Sequence, residues 1–253
     1  MDSGSDSFYR PPESRLEHPG DAPSGFGSVE LALRGEIEFN IQEIITEAWL
    51  LVAGSKATIF GIFFLGGLVS VISQFVSVFV TAGFSEIFPS AAVGAGLLIG
   101  MVGGALAAPF NTAVVLYAIR RAIRDPGASF DTLSECFGVF VPIVGVSLLS
   151  ALLMMAGYVM LIVPGIYLAI SYIFAAPLVV EKRMGVWEAM ETSRKAVTRC
   201  WFRVFGLFLT LGFIGAIGTV FTFGIGLIWI LPLFILSIGV AYRNVFGYEG
   251  EVA

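Results

Sequence analysis

Six stretches of this chain are long and apolar, and none contains Asp, Glu, Lys, Arg or His. They are Thr58–Ala82, Ala91–Ile119, Val139–Ile162, Ile166–Val180, Val204–Val220 and Phe223–Ala241. Crossing the hydrocarbon region takes about 20 mainly apolar residues in a helix. The fourth stretch is the shortest, and the Phe221–Phe223 boundary is weakly marked because Gly224 and Gly226 serve equally well as a turn. A soluble domain runs at about 45–50% apolar and about 25% charged residues. Here 57% of 253 residues are hydrophobic and 13% are charged. The pattern predicts an all-α membrane protein with six transmembrane helices.

The cations decide how such helices thread. Arg10, Arg15, Arg34 and Lys56 precede the first stretch, and Arg120, Arg121 and Arg124 follow the second. Lys182, Arg183, Arg194, Lys195, Arg199 and Arg203 lie between the fourth and fifth, and Arg243 follows the sixth. With six spans, all 14 Lys and Arg fall on one side. The other side keeps only the connections near 83–90, 163–165 and 221–226, whose sole charge is Glu86. Cytoplasmic loops carry the Lys/Arg excess, so both termini are expected in the cytoplasm. Residues 1–39 hold no apolar core of signal-peptide type, and the first span is expected to act as its own insertion signal.

The domain plan follows. Residues 1–35 read as a disordered acidic cytoplasmic tail, 36–245 as the membrane domain and 246–253 as a short cytoplasmic C-terminus. Within the domain a unit recurs: an interfacial amphipathic helix, a span out, a tight turn and a span back. The units cover about 36–121, 126–183 and 184–245. In the first lead-in, Ile41, Ile44, Ile45, Ala48, Trp49 and Val52 share one helical face. The second lead-in is Ser129–Phe137 and the third Val186–Phe202, where Glu191 and Lys195 form an i,i+4 pair. Two readings of the repetition stand: three easily built hairpins, or a pseudo-threefold bundle around a central seam.

Several positions are candidates for a role. Gly96, Gly100 and Gly104 repeat every four residues, a small-residue ridge where helix backbones approach closely within the chain or across a homodimer. Gln74 and Asn111 are the only amides inside the spans. They suit interhelical hydrogen bonds, and Asn111 is also placed to meet the carbonyl freed by Pro109 or a substrate. Pro109, Pro177 and Pro232 are expected to kink the returning spans, and Pro164-Gly165 to turn the third span into the fourth. Tyr158, Tyr167 and Tyr172 suit interfacial anchoring. Lys182, Arg183, Arg194, Lys195, Arg199 and Arg203 give one segment a net positive charge, which fits anionic lipid headgroups or only the sidedness signal.

Other chemistry has little to work with. A single histidine, His18, and two distant cysteines, Cys136 and Cys200, give no metal-ligand spacing and no disulfide framework. No carboxylate pair, nucleophile–base arrangement or phosphate-cradling loop emerges, so no enzyme and no cofactor is expected. The net charge of −5 without a basic block excludes a nucleic-acid partner.

Two motifs carry a resemblance. The run Ile162-Val163-Pro164-Gly165-Ile166-Tyr167-Leu168 is followed by Tyr172-Ile173-Phe174-Ala175-Ala176-Pro177-Leu178-Val179-Val180-Glu181. Glu188-Ala189-Met190, Ser193-Arg194-Lys195 and Trp201-Phe202-Arg203-Val204 come after it. This pattern resembles a widespread, largely uncharacterised bacterial integral-membrane family, similar to the membrane domain of glycerophosphoryl diester phosphodiesterases. The likeness spans roughly 36–245 and is sharpest from 160 to 205. It implies a multi-pass protein of the bacterial inner membrane; no phosphodiesterase catalytic domain is present in this chain to carry that activity. In the tail, Phe8-Tyr9-Arg10-Pro11-Pro12-Glu13-Ser14 is similar to a short element near the start of many proteobacterial multi-pass proteins, and suits a polyproline-type docking peptide.

The expectation for function is a non-enzymatic membrane protein that binds lipid or scaffolds a membrane or cytoplasmic protein partner. The alternative is a facilitator or carrier of an uncharged or lipid-like molecule. A water-lined cavity at Asn111 or Gln74 would favour the carrier, and a dry core the lipid-binding or scaffolding protein.

Overall fold

The structure is a computed structural model that describes residues 27–85 and 89–248. The Tyr9-Pro11-Pro12 element and the last residues of the chain lie outside the described residues. Ten helices and no strand appear among the described residues. They are α1 (Val29–Arg34), α2 (Ile41–Val52), α3 (Lys56–Ser85), α4 (Pro89–Ala122), α5 (Asp131–Gly138), α6 (Phe140–Met160), α7 (Ile162–Ser171), α8 (Ala175–Glu181), α9 (Val186–Phe221) and α10 (Leu227–Phe246). Six helical segments are long and apolar enough to cross a membrane. The chain is a multi-pass all-α membrane protein.

The spans differ from the sequence reading in informative ways. The fourth is built from two helices, α7 and α8, interrupted at Tyr172–Phe174. Pro164 and Gly165 do not make the turn before it. Leu161 does, with an extended backbone (φ −164°, ψ 153°). Pro164 instead occupies the first turn of α7, where its missing N–H has no helical partner to lose. Pro177 sits in the first turn of α8, four residues after Ile173, so its ring and missing N–H fall where the span is interrupted. Pro109 and Pro232 do lie inside α4 and α10. The turn before α10 uses Gly224, at φ 88°.

The lead-in helices also diverge from one another. α2 and α5 are separate elements, but the third lead-in continues into its span as α9. At 1.5 Å per residue, its 36 residues would make a rod of about 54 Å, far longer than the hydrocarbon is thick. Cys200 relieves this with a non-helical backbone (φ −124°, ψ 23°) that kinks the rod between its polar and apolar parts.

Residues 27–35 were expected in the disordered tail, yet they hold α1. Ser28 caps its first turn by accepting from Leu31 N (3.2 Å), and Gly35 ends it at φ 83°. Ala32 is fully buried. Six residues are too few for a stable isolated helix. Docking on α9 and α10 holds this one, a contact that local composition does not reveal.

The core gathers on α10. Its stretch from Pro232 to Phe246 is almost wholly buried, whereas α3 and the apolar part of α9 expose Phe64, Phe75, Phe79, Phe213 and Phe221. α10 packs mainly against α4 and α2 rather than its sequence neighbour α9. A Cβ on Gly239 would run into the backbone of Ala118, so the α4 and α10 backbones meet there directly. Arg243, placed by the sequence just after the sixth span, lies inside α10 and is buried. Its guanidinium grips both carboxylate oxygens of Glu47 on α2 (2.6 and 2.7 Å) and donates to Ala122 O at the end of α4 (2.7 Å).

Two substitutions test this centre. Gly239→Leu is expected to abolish recovery of folded, monodisperse protein in detergent. Glu47→Ala should lower the thermal midpoint, by a loss on the order of 2 kcal/mol for removing one partner of a largely buried pair, with its exposed edge discounted.

Candidate functional site

α3 and α4 lie against one another along most of their length, and the details of that seam define a candidate site. Ser77 Oγ donates to Gly96 O (2.9 Å), and Ser73 Oγ reaches Ile99 O (3.4 Å). Such bonds replace water, which the bilayer interior withholds. A Cβ on Gly103 would collide with Ser73, and one on Gly96 with Thr81. The close approach therefore uses Gly96 and Gly103, seven residues apart. Gly100 and Gly104, expected on the packing ridge, have nothing within 4 Å of where a side chain would start. They face a cleft instead.

That cleft has a volume of about 970 Å³ and lies between α3, α4 and α6. One wall carries Gln74, Ser77, Thr81 and Ser85; the glycine wall carries Gly96, Gly100 and Gly104; Ser147 and Ala151 close it on α6. The rest of the lining is apolar, including the exposed Leu97 and Val78. From Gln74 the polar positions recur at spacings of three, four and four, one face of a helix. The sequence reading picked out Gln74 but missed the hydroxyls, although this spacing was the available signal. The cleft occupies the later half of α3 and the earlier half of α4.

Asn111 does not join it. Asn111 is exposed on α4, makes no hydrogen bond among the described residues and lines no cavity found there. It neither repairs the break at Pro109 nor faces a central passage. The place of a central seam is filled by α10.

The six candidate lipid-contacting cations are mostly committed elsewhere. Arg194 holds Glu191 through two bonds (2.8 and 2.9 Å), and Lys195 approaches the same carboxylate at 3.3 Å. Lys182 pairs with Glu181 at 3.6 Å, and Glu181 accepts from the Tyr242 hydroxyl. Arg183 is exposed at φ 53°. Arg199 lays its stem on Gly35, and Arg203 Nη1 donates to Ile37 O (3.1 Å). The six do not form one patch. Of the tyrosines, Tyr167 bonds Thr198 (2.7 Å) and stacks near Trp201, and the Tyr158 ring covers Gly165.

Neither cysteine offers reactive chemistry. Cys136 and Cys200 are free and buried. Burial pushes the Cys136 thiol up to about 12, with Glu135 adding to the shift and Arg120 opposing it. No group of residues able to hold a metal ion appears among the described residues. No family model, curated protein or solved structure matches the chain.

Neighbouring glycines should respond differently to the same substitution. Gly103→Leu is expected to cost about 1–3 kcal/mol by overpacking the α3–α4 seam. Gly104→Leu should leave the thermal midpoint unchanged. In the folded protein at pH 8, a maleimide reagent should leave Cys136 unlabelled until denaturant is added.

Proposed function

We propose that this protein is a non-enzymatic, lipid-binding protein of the bacterial inner membrane, with both termini in the cytoplasm. The observation that carries the reading is the cleft between α3, α4 and α6. In a bilayer a cleft of this kind is filled by the surrounding solvent, which is lipid. About 300–1,000 Å³ is the usual size of a ligand pocket, and the volume here is about 970 Å³. Its lining pairs an apolar surface for an acyl chain with the Gln74 amide and the Thr81 hydroxyl, which suit ester oxygens; the Ser77 and Ser85 hydroxyls donate to Gly96 O and Ala82 O. The lining carries no ionisable group, so the cleft suits the neutral part of a lipid rather than an ion or a proton.

Carriage across the bilayer is the weaker reading. The buried α10 fills the middle of the bundle, and Asn111 faces outward. The sidedness rests on the cations: none of the described Lys and Arg belongs to the Leu161 or Thr222–Gly226 turns, and Lys56 is the one whose ammonium reaches the first turn of α10, 4.4 Å from the Trp229 ring centroid. The resemblance to the membrane domain of phosphodiesterases is compatible with a lipid ligand and brings no catalytic step with it.

The double variant Gly100→Leu/Gly104→Leu tests the cleft, because both side chains would grow into open space. Purified in mild detergent, it should fold as the wild type does and retain at most a few tenths as much co-purifying phospholipid by mass spectrometry. Undiminished lipid, or a wild-type dimer that the variant breaks, would overturn lipid occupancy of this cleft. Sidedness is read separately: a cysteine at Phe223 should label only from the periplasm, and one at Ser129 only from the cytoplasm.

A further inference from the structure

A second cavity lies between the start of α2 and the middle of α9, with a volume of about 670 Å³. Phe39, Ile41 and Ile45 line it on one side; Asn40, Gln42 and Thr46 give it a polar rim. α9 contributes Arg203 and Thr210. These two are seven residues apart, hence two turns or about 10 Å along the same helix face.

Their placement along the chain gives the cavity a polarity. Arg203 is the last charged residue before the apolar part of α9, which runs uncharged to Phe221. It therefore marks the boundary between water and bilayer, and Thr210 lies two turns into the apolar region. The bond from Arg203 Nη1 to Ile37 O fixes the guanidinium across the linker that precedes α2. Its remaining N–H groups have no partner among the described residues. Arg199, one turn earlier and exposed, adds a second cation.

Neither arginine has a carboxylate within ion-pair distance among the described residues, unlike Arg120, Lys182, Arg194, Lys195 and Arg243. Glu43, beside the cavity on α2, does not line it and accepts from Asn40 Nδ2 (2.7 Å). Glu36 and Glu38 belong to the linker but do not line the cavity. A crevice with a cation at the membrane boundary, the Gln42 amide on its rim and an apolar floor has the layered chemistry of a glycerophospholipid; the Thr46 and Thr210 hydroxyls donate to Gln42 O and Gly206 O of their own helices (2.8 Å each).

We propose that this crevice is a binding site for an anionic glycerophospholipid. The phosphodiester pairs with Arg203, with Arg199 adding long-range attraction. The glycerol region lies beside Thr46 and Thr210, and an acyl chain follows the exposed Leu209 and Phe213 of α9. The two acids of the linker limit the local positive charge, so the site suits a single phosphodiester rather than a polyphosphate. The inference shares the ligand class of the proposed function, but none of the residues of the first cleft.

The test is native mass spectrometry of the whole chain in a neutral detergent, titrated with phosphatidylglycerol or with phosphatidylcholine of the same acyl chains. Wild type should prefer phosphatidylglycerol by about fivefold, the effect of one basic residue at an anionic surface. Arg203→Gln should remove that preference and Arg203→Lys should keep most of it. Thr210→Leu, which leaves the Arg203–Ile37 bond intact, should weaken both lipids by filling the crevice. An unchanged preference in folded Arg203→Gln overturns the site. So does displacement of the lipid by equimolar glycerol 3-phosphate, which would make it a site for a soluble anion. If Arg203→Gln does not fold, unchanged lipid affinity in Thr210→Leu overturns the proposal by itself. Gly100→Leu/Gly104→Leu should leave the preference intact, so failure of the first cleft and failure of this site are separate results.

Discussion

The grip of Arg243 on Glu47 and on Ala122 O joins the ends of α4 and α10 to the middle of α2. A guanidinium out of water needs a carboxylate and further acceptors to offset its desolvation, and here α2 and α4 supply them. With that end fixed, the rest of α10 can pack as an apolar pillar. Gly239 brings its backbone onto that of Ala118, and Leu236, Val240 and Tyr242 are enclosed. The surrounding helices then turn large apolar side chains outward. In water that would be an aggregation hazard; in a bilayer it is the solvated surface.

Lipid tails are as apolar as the side chains they replace, so burying more leucine gives little reason for helices to associate. The structure uses close backbone approach and hydroxyl–carbonyl bonds instead. At the α3–α4 seam, Gly103 and Gly96 admit Ser73, Ser77 and Thr81. The same economy leaves Gly100 and Gly104 uncovered, and the cleft follows from that. Packing and the candidate binding surface are two faces of the same pair of helices.

Much of the architecture was legible in the sequence because the bilayer imposes a length and forbids unpaired charge. The six apolar stretches and the flanking cations follow from that rule alone. The site was legible only in pieces. Gln74 stood out as an amide among apolar residues, but Ser77, Thr81 and Ser85 look ordinary until the pitch of α3 places them on one wall. The glycine ridge was read as a packing surface, because spacing shows which residues share a face and not which helix, if any, covers it. Asn111 looked central by its depth in the span, but depth does not determine which way a residue faces.

The sequence by itself determined the class and the number of apolar helices, since each depends on the cost of placing a residue in hydrocarbon. Tertiary structure decided what lies in the middle and what is left open. It chose α10 as the pillar, folded α1 out of a polar tail, moved the third turn to Leu161, and split the six clustered cations into three that pair with carboxylates and three arginines that have no carboxylate partner among the described residues. Those outcomes depend on which backbones approach closely enough to exchange hydrogen bonds. That is a property of pairs of distant segments and is not written in either segment alone.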